Sequence, residues 1–398
     1  MKTVYSAPNR AHHYGYAREL HQAGMLQAFV CGFPRYSRRA PLPEIGDALL
    51  RADQLQTIYV ASLKLNAPRS ISAELAHWAK IQIDRRSRAA LKDADVFLYY
   101  NGCGLESARW FRERGGLAIV EAVNSHVLVQ EQIMRDEYKV LGLPWRPFHS
   151  RETKRRAAEV EEADYVLLPS GFVAKSFLAQ GIPAERLLRV PYPLQKIPGT
   201  SGPGQRSTVD DGVFRVLYVG TVYVRKGLRY LIEAFKRLKV AKKELWIVGP
   251  TANPTGLEDI SIPAEARFFG PLKGEELQSV YQRATVFCLP SIEEGLALVL
   301  SEAMGYGLPV IATENTGVED LLEDGKGAMV VPIRNPEAIA SLLNRLAEDP
   351  DFLAAKRREA AEASDLLAKR SRNRPTLSMT LKEAFDMRQS PTNAQVFC

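Results

Sequence analysis

The chain has 398 residues, of which 46% are hydrophobic and 25% are charged. These values are ordinary for a soluble globular protein and exclude a disordered chain, a collagen-like fibre and a disulfide scaffold, while the length predicts two domains. No run approaches the roughly 20 apolar residues that a bilayer crossing needs, and the N-terminus becomes polar too early for a secretory signal. The four cysteines stand far apart without metal-ligand spacing. We therefore expect a cytoplasmic protein with reduced thiols.

The net charge of +7 is concentrated in the first half of the chain, because residues 1–200 hold 28 Lys/Arg and 20 Asp/Glu whereas residues 201–398 hold 25 and 26. Three basic clusters stand out: Arg35, Arg38 and Arg39; Arg85, Arg86 and Arg88; and Lys154, Arg155 and Arg156. Such clusters suit an anionic surface, so we expect peripheral contact with the inner face of a membrane, with scattered solvated charge as the alternative. No zinc-finger spacing, RNP-type string or helix-turn-helix signal accompanies them, so no nucleic-acid partner is expected.

In the first region, residues 1–195, short apolar runs alternate with helical patterns. The runs are TVYSAP, LQAFVCGF, TIYVAS, DVFLYY, LAIVEAV, DYVLLPS and LLRVPYP. Strands that alternate with helices predict a parallel sheet covered on both faces. The first region is therefore predicted to be an α/β domain.

The second region repeats this pattern after a stretch rich in Gly, Pro and Ser, which places a linker at 196–212. A second domain follows at 213–370, with runs that include FRVLYVG, ELWIVG, TVFCLP, PVIAT and AMVVP. The tail, 371–398, contains one predicted helix from about Leu377 to Arg388, which we expect to pack back on the first domain. The fold class is thus α/β, with two Rossmann-like, doubly wound domains that face each other across a cleft at the carboxyl ends of both sheets.

Segment 289–317 carries the most informative chemical signal. Its sequence predicts a strand that ends at Pro290, a polar loop with Gly295, and a helix from about Leu298 to Tyr306. The N-terminus of that helix opens at the cleft, where its free amides favour an anion such as a nucleotide diphosphate. Glu294 in the loop and Glu302 on the helix have seven residues between them. Glu302 would then reach a ribose diol; the alternative is that both are surface glutamates.

This segment resembles the donor-site signature of the retaining glycosyltransferases of family 4. The matching positions are Pro290, Ser291, Glu294, Gly295, Leu296, Ala297, Leu298, Glu302, Ala303, Met304, Gly307, Pro309 and Val310 to Thr313. Two further stretches resemble the family, VGTVYVRKGLRYLIEAF (219–235) and ADYVLLPSGFVAKSF (163–177). The resemblance implies a two-domain B-type glycosyltransferase that moves a hexose from a UDP- or GDP-hexose to an acceptor hydroxyl with retention. It implies no cofactor and no metal, and an acceptor that is a glycan or a lipid-linked saccharide in polysaccharide or lipid-linked glycan biosynthesis.

The resemblance also implies roles for individual residues. Lys226 is placed beside the donor phosphates, Glu302 at the ribose and Glu294 at the hexose hydroxyls. Thr221 stands where most members have a second phosphate-binding Arg, and we expect Arg225 to compensate from the same loop. The donor-binding set is Gly220, Thr221, Arg225, Lys226, Glu294, Gly295, Leu296, Ala297, Leu298, Val299 and Glu302.

Four positions in the first domain are also implicated. His126 follows the strand LAIVEAVNS, where the family often has a His near the transferred sugar, so it joins Glu294 and Lys226 as a candidate catalytic residue. A loop His with a local backbone partner is the alternative. His12, His13 and Tyr14 follow the first strand, where the family's acceptor loop lies, and are acceptor-side candidates or else solvent-facing loop residues.

Other interpretations compete with the transferase. The loop Gly102-Cys103-Gly104-Leu105-Glu106-Ser107, followed by a strand that ends in Glu121, imitates a dinucleotide fingerprint and would suit a nicotinamide-dependent oxidoreductase. Thr221 motivates a catalytically degenerate transferase that acts as a binding protein. The pair Asp93 and Asp95 could bind a metal, but its place between a helix and a strand favours a turn, so no metal site is predicted.

Overall fold

The structure is a computed structural model that describes residues 1–192, 211–322, 326–373 and 376–389. Its architecture is two parallel-sheet α/β domains in sequence. Most of the predicted linker, 196–210, and residues 390–398 of the predicted tail lie outside the described residues.

The first domain is built on a seven-stranded parallel sheet with the order β3-β2-β1-β4-β5-β6-β7. Its strands are β1 (Thr3–Ala7), β2 (Leu26–Cys31), β3 (Leu49–Arg51), β4 (Val96–Tyr100), β5 (Leu117–Glu121), β6 (Tyr165–Leu168) and β7 (Leu187–Arg189). Its helices are α1 (His13–Gln22), α2 (Gln54–Lys64), α3 (Arg69–Ala90), α4 (Leu105–Arg112), α5 (Val127–Val140), α6 (Ser150–Glu162) and α7 (Gly171–Leu178).

The second domain repeats the topology with a six-stranded parallel sheet in the order β10-β9-β8-β11-β12-β13. Its strands are β8 (Phe214–Val219), β9 (Lys243–Val248), β10 (Ala266–Gly270), β11 (Val286–Leu289), β12 (Val310–Thr313) and β13 (Ala328–Val331). Its helices are α8 (Leu228–Lys236), α9 (Gly274–Arg283), α10 (Leu298–Gly305), α11 (Pro336–Glu348) and α12 (Pro350–Asn373), and α13 (Leu377–Gln389) follows.

The predicted fold class is confirmed, and the central strands show why the sequence encodes it. Strands β1, β5 and β11 are buried along their whole length, so both faces of each sheet are covered by helices. In both sheets the first strand of the domain lies next to the fourth, which is the point where the strand order reverses. Ligands of doubly wound sheets bind at this point, beyond the carboxyl ends of the strands.

One predicted strand is wrong. The run TIYVAS lies inside helix α2, and the third strand of the first sheet is the preceding segment Leu49–Arg51. A short apolar run cannot be assigned to a strand or a helix from its composition alone. Here only part of the run packs inward: Ser62 is buried, whereas Ile58 and Ala61 are exposed.

Helix α13 packs on the first domain, against helix α1. The Ser378 amide donates to the Glu19 carboxylate at 2.8 Å, and the Arg388 guanidinium donates to the Gly116 carbonyl at 2.5 Å. The last helix of the chain therefore returns to the first domain. Within the described ranges, no helix is both long and apolar enough to span a membrane.

Candidate active site

Two loops of the second domain meet at the reversal point of its sheet. Residues 220–227 follow β8 and residues 290–297 follow β11, its neighbour. The Ile292 amide donates to the Arg225 carbonyl at 2.8 Å, which ties the loops together. Gly227 adopts φ +62°, and a Cβ there would lie 2.1 Å from the Pro290 carbonyl oxygen, so only glycine allows this approach.

The Lys226 ammonium contacts the Glu294 carboxylate across these loops, both groups being largely buried. Ser291 also donates to Glu294, at 3.5 Å. Burial and the charge of Arg225 lower the pKa of Lys226, and the charge of Glu293 opposes that shift. The structure thus brings together the two residues that the sequence analysis placed at the donor phosphates and at the hexose.

Glu293, which the sequence analysis missed, is fully buried beside them. Its carboxylate accepts hydrogen bonds from the amide and hydroxyl of Ser125 at 3.0 and 2.7 Å and from the Gln130 side chain at 2.9 Å. It also pairs with the Arg225 guanidinium at 3.0 Å. A signal was available, because Arg225-Lys226 and Glu293-Glu294 are two consecutive cations and two consecutive anions.

This arrangement corrects the expectation for Arg225. Its guanidinium lies against Glu293 and, at 3.4 Å, the Asn124 side chain, and it is 27% exposed. Arg225 therefore joins the donor loop to the first domain, and in this structure it does not stand free as a substitute for an arginine at Thr221.

Helix α5 of the first domain makes further contacts with the second domain. Glu137, which is buried, accepts from the Tyr230 hydroxyl at 3.0 Å and pairs with Arg334 at 2.6 Å. Gln130 and Glu137 lie about two turns apart on this helix, and Ser125 stands just before it. The first domain is thus held against the donor loops by buried polar groups, which lose hydrogen bonds if the domains part.

Gly295 lies directly against the first domain. A Cβ at this position would come 1.7 Å from the Val123 carbonyl oxygen, and the Gly295 carbonyl accepts from the Ser170 hydroxyl at 2.5 Å. The loop that carries Glu294 is therefore closed over by residues of β5–α5 and β6–α7.

The N-terminus of α10 partly matches the prediction of free amides over 295–299. The Ala297 amide donates to the Thr316 carbonyl at 3.1 Å. This amide is therefore not free for a ligand, which corrects the prediction at Ala297. Ala297 provides no side-chain cap for the helix, and Leu298 and Val299 are half-buried at its first turn. Leu296 is buried and packs in the core of the domain. The positive end of α10 thus remains directed at the cleft.

Glu302 lies on α10 one turn beyond these amides. It is half-buried and accepts from the Tyr281 hydroxyl at 3.1 Å, and the Tyr281 ring stacks on Tyr306. Burial raises the pKa of the Glu302 carboxyl, and the Tyr281 hydrogen bond opposes the shift.

The backbone of Gly220 and Thr221, at the end of β8, is closely packed. A Cβ on Gly249 would meet the Gly220 carbonyl, and the Thr221 carbonyl accepts from the Tyr218 hydroxyl at 2.8 Å.

His126 caps helix α5. Its ring nitrogen Nδ1 accepts from the Leu128 amide at 3.4 Å, its own amide donates to the Ser176 hydroxyl at 2.9 Å, and its ring packs edge-on against Phe177. Burial, with the charge of Arg156, lowers the pKa of His126 to about 4, so the imidazole is neutral at physiological pH. The structure thus shows the feature expected of the alternative, a His with a local backbone partner. His126 also directly follows Ser125, whose amide and hydroxyl bind Glu293.

The acceptor-side candidates are turned into the first domain. His12 Nε2 lies 2.5 Å from one oxygen of Glu121, and His13 Nδ1 lies 3.2 Å from the other. The Tyr5 hydroxyl donates to Glu121 at 2.8 Å, and Tyr14 donates to the Ala40 carbonyl at 3.0 Å. His13, Tyr14 and Glu121 are buried, so this cluster is a core network under the end of the sheet, which contradicts the alternative of solvent-facing loop residues. That these residues serve the acceptor stays a prediction.

The same cluster bears on the predicted absence of a metal. His12, His13 and Glu121 lie close enough together to hold an ion. Their ligand atoms already satisfy one another at hydrogen-bonding distances, as a buried network must. Asp95 instead accepts from the Lys2 amide at 2.6 Å, which matches the predicted turn. That the protein needs no metal remains a prediction.

The Gly102–Ser107 loop has a structural role. The buried Glu159 carboxylate accepts from the amides of Gly102, Gly104 and Leu105, at 2.9 and 3.0 Å for the last two. Asp84 accepts from the amides of Glu106 and Ser107, each at 3.0 Å. The place where a dinucleotide phosphate binds is filled by the protein's own carboxylates, and Glu121 is engaged with the two histidines. Both observations contradict the oxidoreductase interpretation.

Comparisons with known proteins find similarity that includes the second domain. Residues 213–349 match the family model described as Glycosyl transferases group 1. The sulfoquinovosyl transferase SQD2 of Arabidopsis thaliana is 29% identical over 191 residues, which cover 46% of this chain and 37% of that protein. The amylovoran biosynthesis glycosyltransferase AmsK of Erwinia amylovora is 28% identical over 262 residues, which cover 59% of this chain and 64% of that protein. The chain thus spans less than two thirds of the length of either relative.

Solved structures bear out the fold. Anabaena HepE, crystallised in complex with UDP and glucose, superposes with a TM-score of 0.63 at 13% identity, covering 96% of this chain and all of that one. The B-type, two-domain fold that the resemblance implied is confirmed.

Proposed function

Because residues 213–349 match the model of the group 1 glycosyltransferases, we propose that the chain transfers a hexose from a nucleotide diphosphate sugar to an acceptor hydroxyl with retention. The observation that carries the proposal is the contact of Lys226 with Glu294 at the reversal point of the second sheet, beside the N-terminus of α10. A cation, a hydrogen-bonding carboxylate and helix amides are the groups needed to hold a diphosphate and a sugar. A related fold binds UDP and glucose, which supports a UDP-hexose donor.

In this proposal the chemical work of the second domain is electrostatic. Negative charge grows on the diphosphate as it leaves the anomeric carbon, and Lys226 and the amides at the start of α10 stabilise that charge. When a donor binds, the Lys226 ammonium exchanges its contact with Glu294 for the diphosphate, and Glu294 turns to the hexose hydroxyls. Glu302 holds the ribose. The acceptor hydroxyl attacks the anomeric carbon from the face that the diphosphate leaves, the bond from that carbon to the diphosphate oxygen breaks, and the hydroxyl proton passes to the departing phosphate oxygen. No metal is required in this proposal because the cation and the amides neutralise the leaving group.

The acceptor is proposed to be a glycan or lipid-linked saccharide, and the enzyme to work in the cytoplasm in polysaccharide or lipid-linked glycan biosynthesis. The similarity to the amylovoran biosynthesis glycosyltransferase AmsK supports this class of product.

The decisive experiment measures donor binding and turnover in Lys226→Ala. Calorimetry and thermal shift with UDP-glucose and GDP-mannose first identify the donor, since a ligand that binds the folded state raises its apparent stability. We expect Lys226→Ala to lower turnover on that donor by roughly a hundred-fold or more, and to lower the affinity for the free nucleoside much less. Lys239→Ala, an exposed lysine on the same domain, is the matched control. Absence of any nucleotide-sugar binding would refute the proposal.

A degenerate transferase that only binds its donor is the second candidate, and Thr221 favours it because the threonine side chain brings no charge to the phosphates. Donor binding without transfer or hydrolysis, together with restored turnover in Thr221→Arg, would support this candidate.

A further inference from the structure

Helices α2 and α3 pack together as a hairpin joined by the four residues 65–68. Five large apolar side chains of this hairpin are between 42 and 80% exposed. They are Ile58, Leu63, Leu65, Ile71 and Trp78, and we call them the hairpin face. Singly exposed apolar residues are normal on a protein surface, but a group of this kind on one element marks an interaction site.

The spacing of these residues shows that the apolar surface is organised. Ile58, Ala61 and Leu65 recur at helical intervals and are all exposed, so they form one stripe on α2 and its end. On α3, Ile71, Trp78 and Arg85 are exposed at intervals of seven residues, which also lie on one stripe. Both stripes point away from the core of the first domain.

The charge around the hairpin face has one sign. Residues 54–90 contain six Lys/Arg and two Asp/Glu. Both acids are engaged elsewhere: Asp84 is buried against Arg155, and Glu74 pairs with Arg151 and His149. Of the bases, Lys80 is paired with Glu152. The exposed surplus is therefore positive.

The structure also shows which side chains of the three basic clusters are exposed. Arg155 is buried in ion pairs with Asp84 and Glu159, so the third cluster is not a surface cluster. Arg35 is held by Asp53, and Arg88 donates to the Glu106 carbonyl at 2.8 Å beside Trp110. Arg85 and Arg86 are exposed at the far end of α3, whereas Arg38, Arg39 and Lys154, which are also exposed, lie outside the hairpin.

The turn of the hairpin lies at the rim of the cleft. Arg69, at the start of α3, donates to the Asn253 carbonyl of the second domain at 2.5 Å. Leu65 and Ile71 flank this contact in sequence. A partner that binds the hairpin face therefore lies next to the mouth of the cleft.

We propose that the hairpin face docks on an anionic lipid bilayer. Apolar side chains with an aromatic ring insert at the boundary of headgroups and acyl chains, and Lys64, Arg69, Arg85 and Arg86 meet the negative surface. A second copy of the chain fits less well, because it brings the same positive charge against this face. The significance for catalysis rests on the proposed function: docking presents a lipid-linked acceptor at the cleft mouth.

Vesicle sedimentation of the full chain tests this docking. We expect the protein to sediment with phosphatidylcholine vesicles that contain phosphatidylglycerol, not with phosphatidylcholine alone, and to be released by salt. Arg85→Gln with Arg86→Gln should lower partitioning roughly thirty-fold, since each basic residue contributes about five-fold near an anionic surface. Lys139→Gln with Lys242→Gln, two exposed lysines elsewhere, should have little effect.

The apolar contribution is tested by Leu65→Ser with Ile71→Ser. We expect roughly ten-fold weaker partitioning from this pair, whereas Leu178→Ser with Met379→Ser, which are also exposed, should bind like the parent protein. Trp78 should move to a less polar environment on binding, seen as a fluorescence blue shift that Trp78→Phe abolishes.

The outcomes separate docking from catalysis. UDP-glucose hydrolysis in the absence of vesicles should be the same in the Leu65/Ile71 variant and the parent. A parent protein that stays in the supernatant at low salt overturns the docking proposal. A second result would also overturn it: the parent forms a dimer by light scattering and does not bind vesicles, and Leu65→Ser with Ile71→Ser converts that dimer to a monomer. Vesicle binding without any nucleotide-sugar binding would overturn the proposed function and leave the docking intact.

Discussion

The loops that follow the fourth strand of each sheet have the same topology but opposite uses. In the first domain the loop after β4 leads into α4, and in the second the loop after β11 leads into α10, each helix being eight residues long. The first-turn amides of α4 bind Glu159 and Asp84, which are buried in the same domain. The first turn of α10 has no side-chain cap, and the carboxylate near it, Glu294, is held by a lysine at the cleft.

This difference teaches what makes an anion-binding loop a ligand site. Both loops offer glycine, amides and a helix N-terminus. In the first domain the anion is a permanent part of the fold and cannot leave without unfolding its neighbours. In the second, the partner of the anion is a flexible lysine side chain, which can exchange one anion for another.

The largest effect, a loss of stability, should come from removing the Glu159 carboxylate that binds the amides of the loop after β4. Glu159→Ala removes the acceptor of three amides and leaves Arg155 buried beside Asp84, so we expect unfolding to become easier by about 3–5 kcal/mol. Chemical denaturation measures this loss. Donor affinity of the folded fraction should be unchanged, and Glu161→Ala on the same helix, an exposed residue, should match the parent. Lost donor affinity in a stably folded Glu159→Ala would make the two loops functionally alike.

An intermediate effect is expected where the two domains meet. Glu293→Gln keeps an acceptor for Ser125 but removes the charge that faces Arg225, which should cost about 1–3 kcal/mol of stability. Burial would raise the pKa of Glu293, but Arg225 and the hydrogen bonds lower it overall. Because the pKa of Glu293 is lower in the folded state than in the unfolded state, the ionised carboxylate stabilises the fold above the pKa of the unfolded state. That stability is lost as the pH falls through the pKa of the folded state.

The parent protein should therefore lose stability in mild acid more steeply than Glu293→Gln, which lacks this titration. Denaturation curves across the acid range check the difference, with the exposed Glu185→Gln as control. Parallel pH curves for the parent and Glu293→Gln would show that the ion pair does not hold the domains together.

The smallest effect should be seen at Glu302. Glu302→Ala removes the proposed hydrogen bonds to the ribose, and we expect roughly ten-fold weaker binding of the donor nucleotide with the stability nearly kept, because the residue is only half-buried. Calorimetry with UDP measures the affinity. Tyr281→Phe, which deletes only the hydroxyl that donates to Glu302, separates loss of the carboxylate from loss of its orientation. Equal affinity in Glu302→Ala and parent would remove Glu302 from the donor site.

The alternating runs were sufficient to predict two parallel sheets, because strands and helices depend on local periodicity. That Lys226 and Glu294 belong to one site was implied by the resemblance to the family, since the two residues are far apart in sequence. The misassigned features depend on distant partners. Residues 57–62 form a helix because part of that run packs inward, and His12 and His13 are buried because Glu121, more than a hundred residues away, receives them.

Glu293 shows the same limit from the opposite side. Its neighbour Glu294 carries the family signature. The two consecutive anions and two consecutive cations could have indicated an ion pair with Arg225, but they do not indicate that Glu293 also reaches Ser125 of the other domain. Similarly, the Gly102 loop has the spacing of a nucleotide site, and only Glu159 on a later helix reveals that its amides are occupied.

The close approach of Gly295 to the Val123 carbonyl has a kinetic consequence. The loop that carries Glu294 is covered by the first domain, so in the proposed reaction a spent nucleotide leaves and a new one enters only after the domains separate. Each cycle of that reaction then includes one opening and one closing. Where such motions are slower than bond cleavage, they set the pace of turnover, and substitutions along α5 that touch no substrate would change how fast the enzyme works.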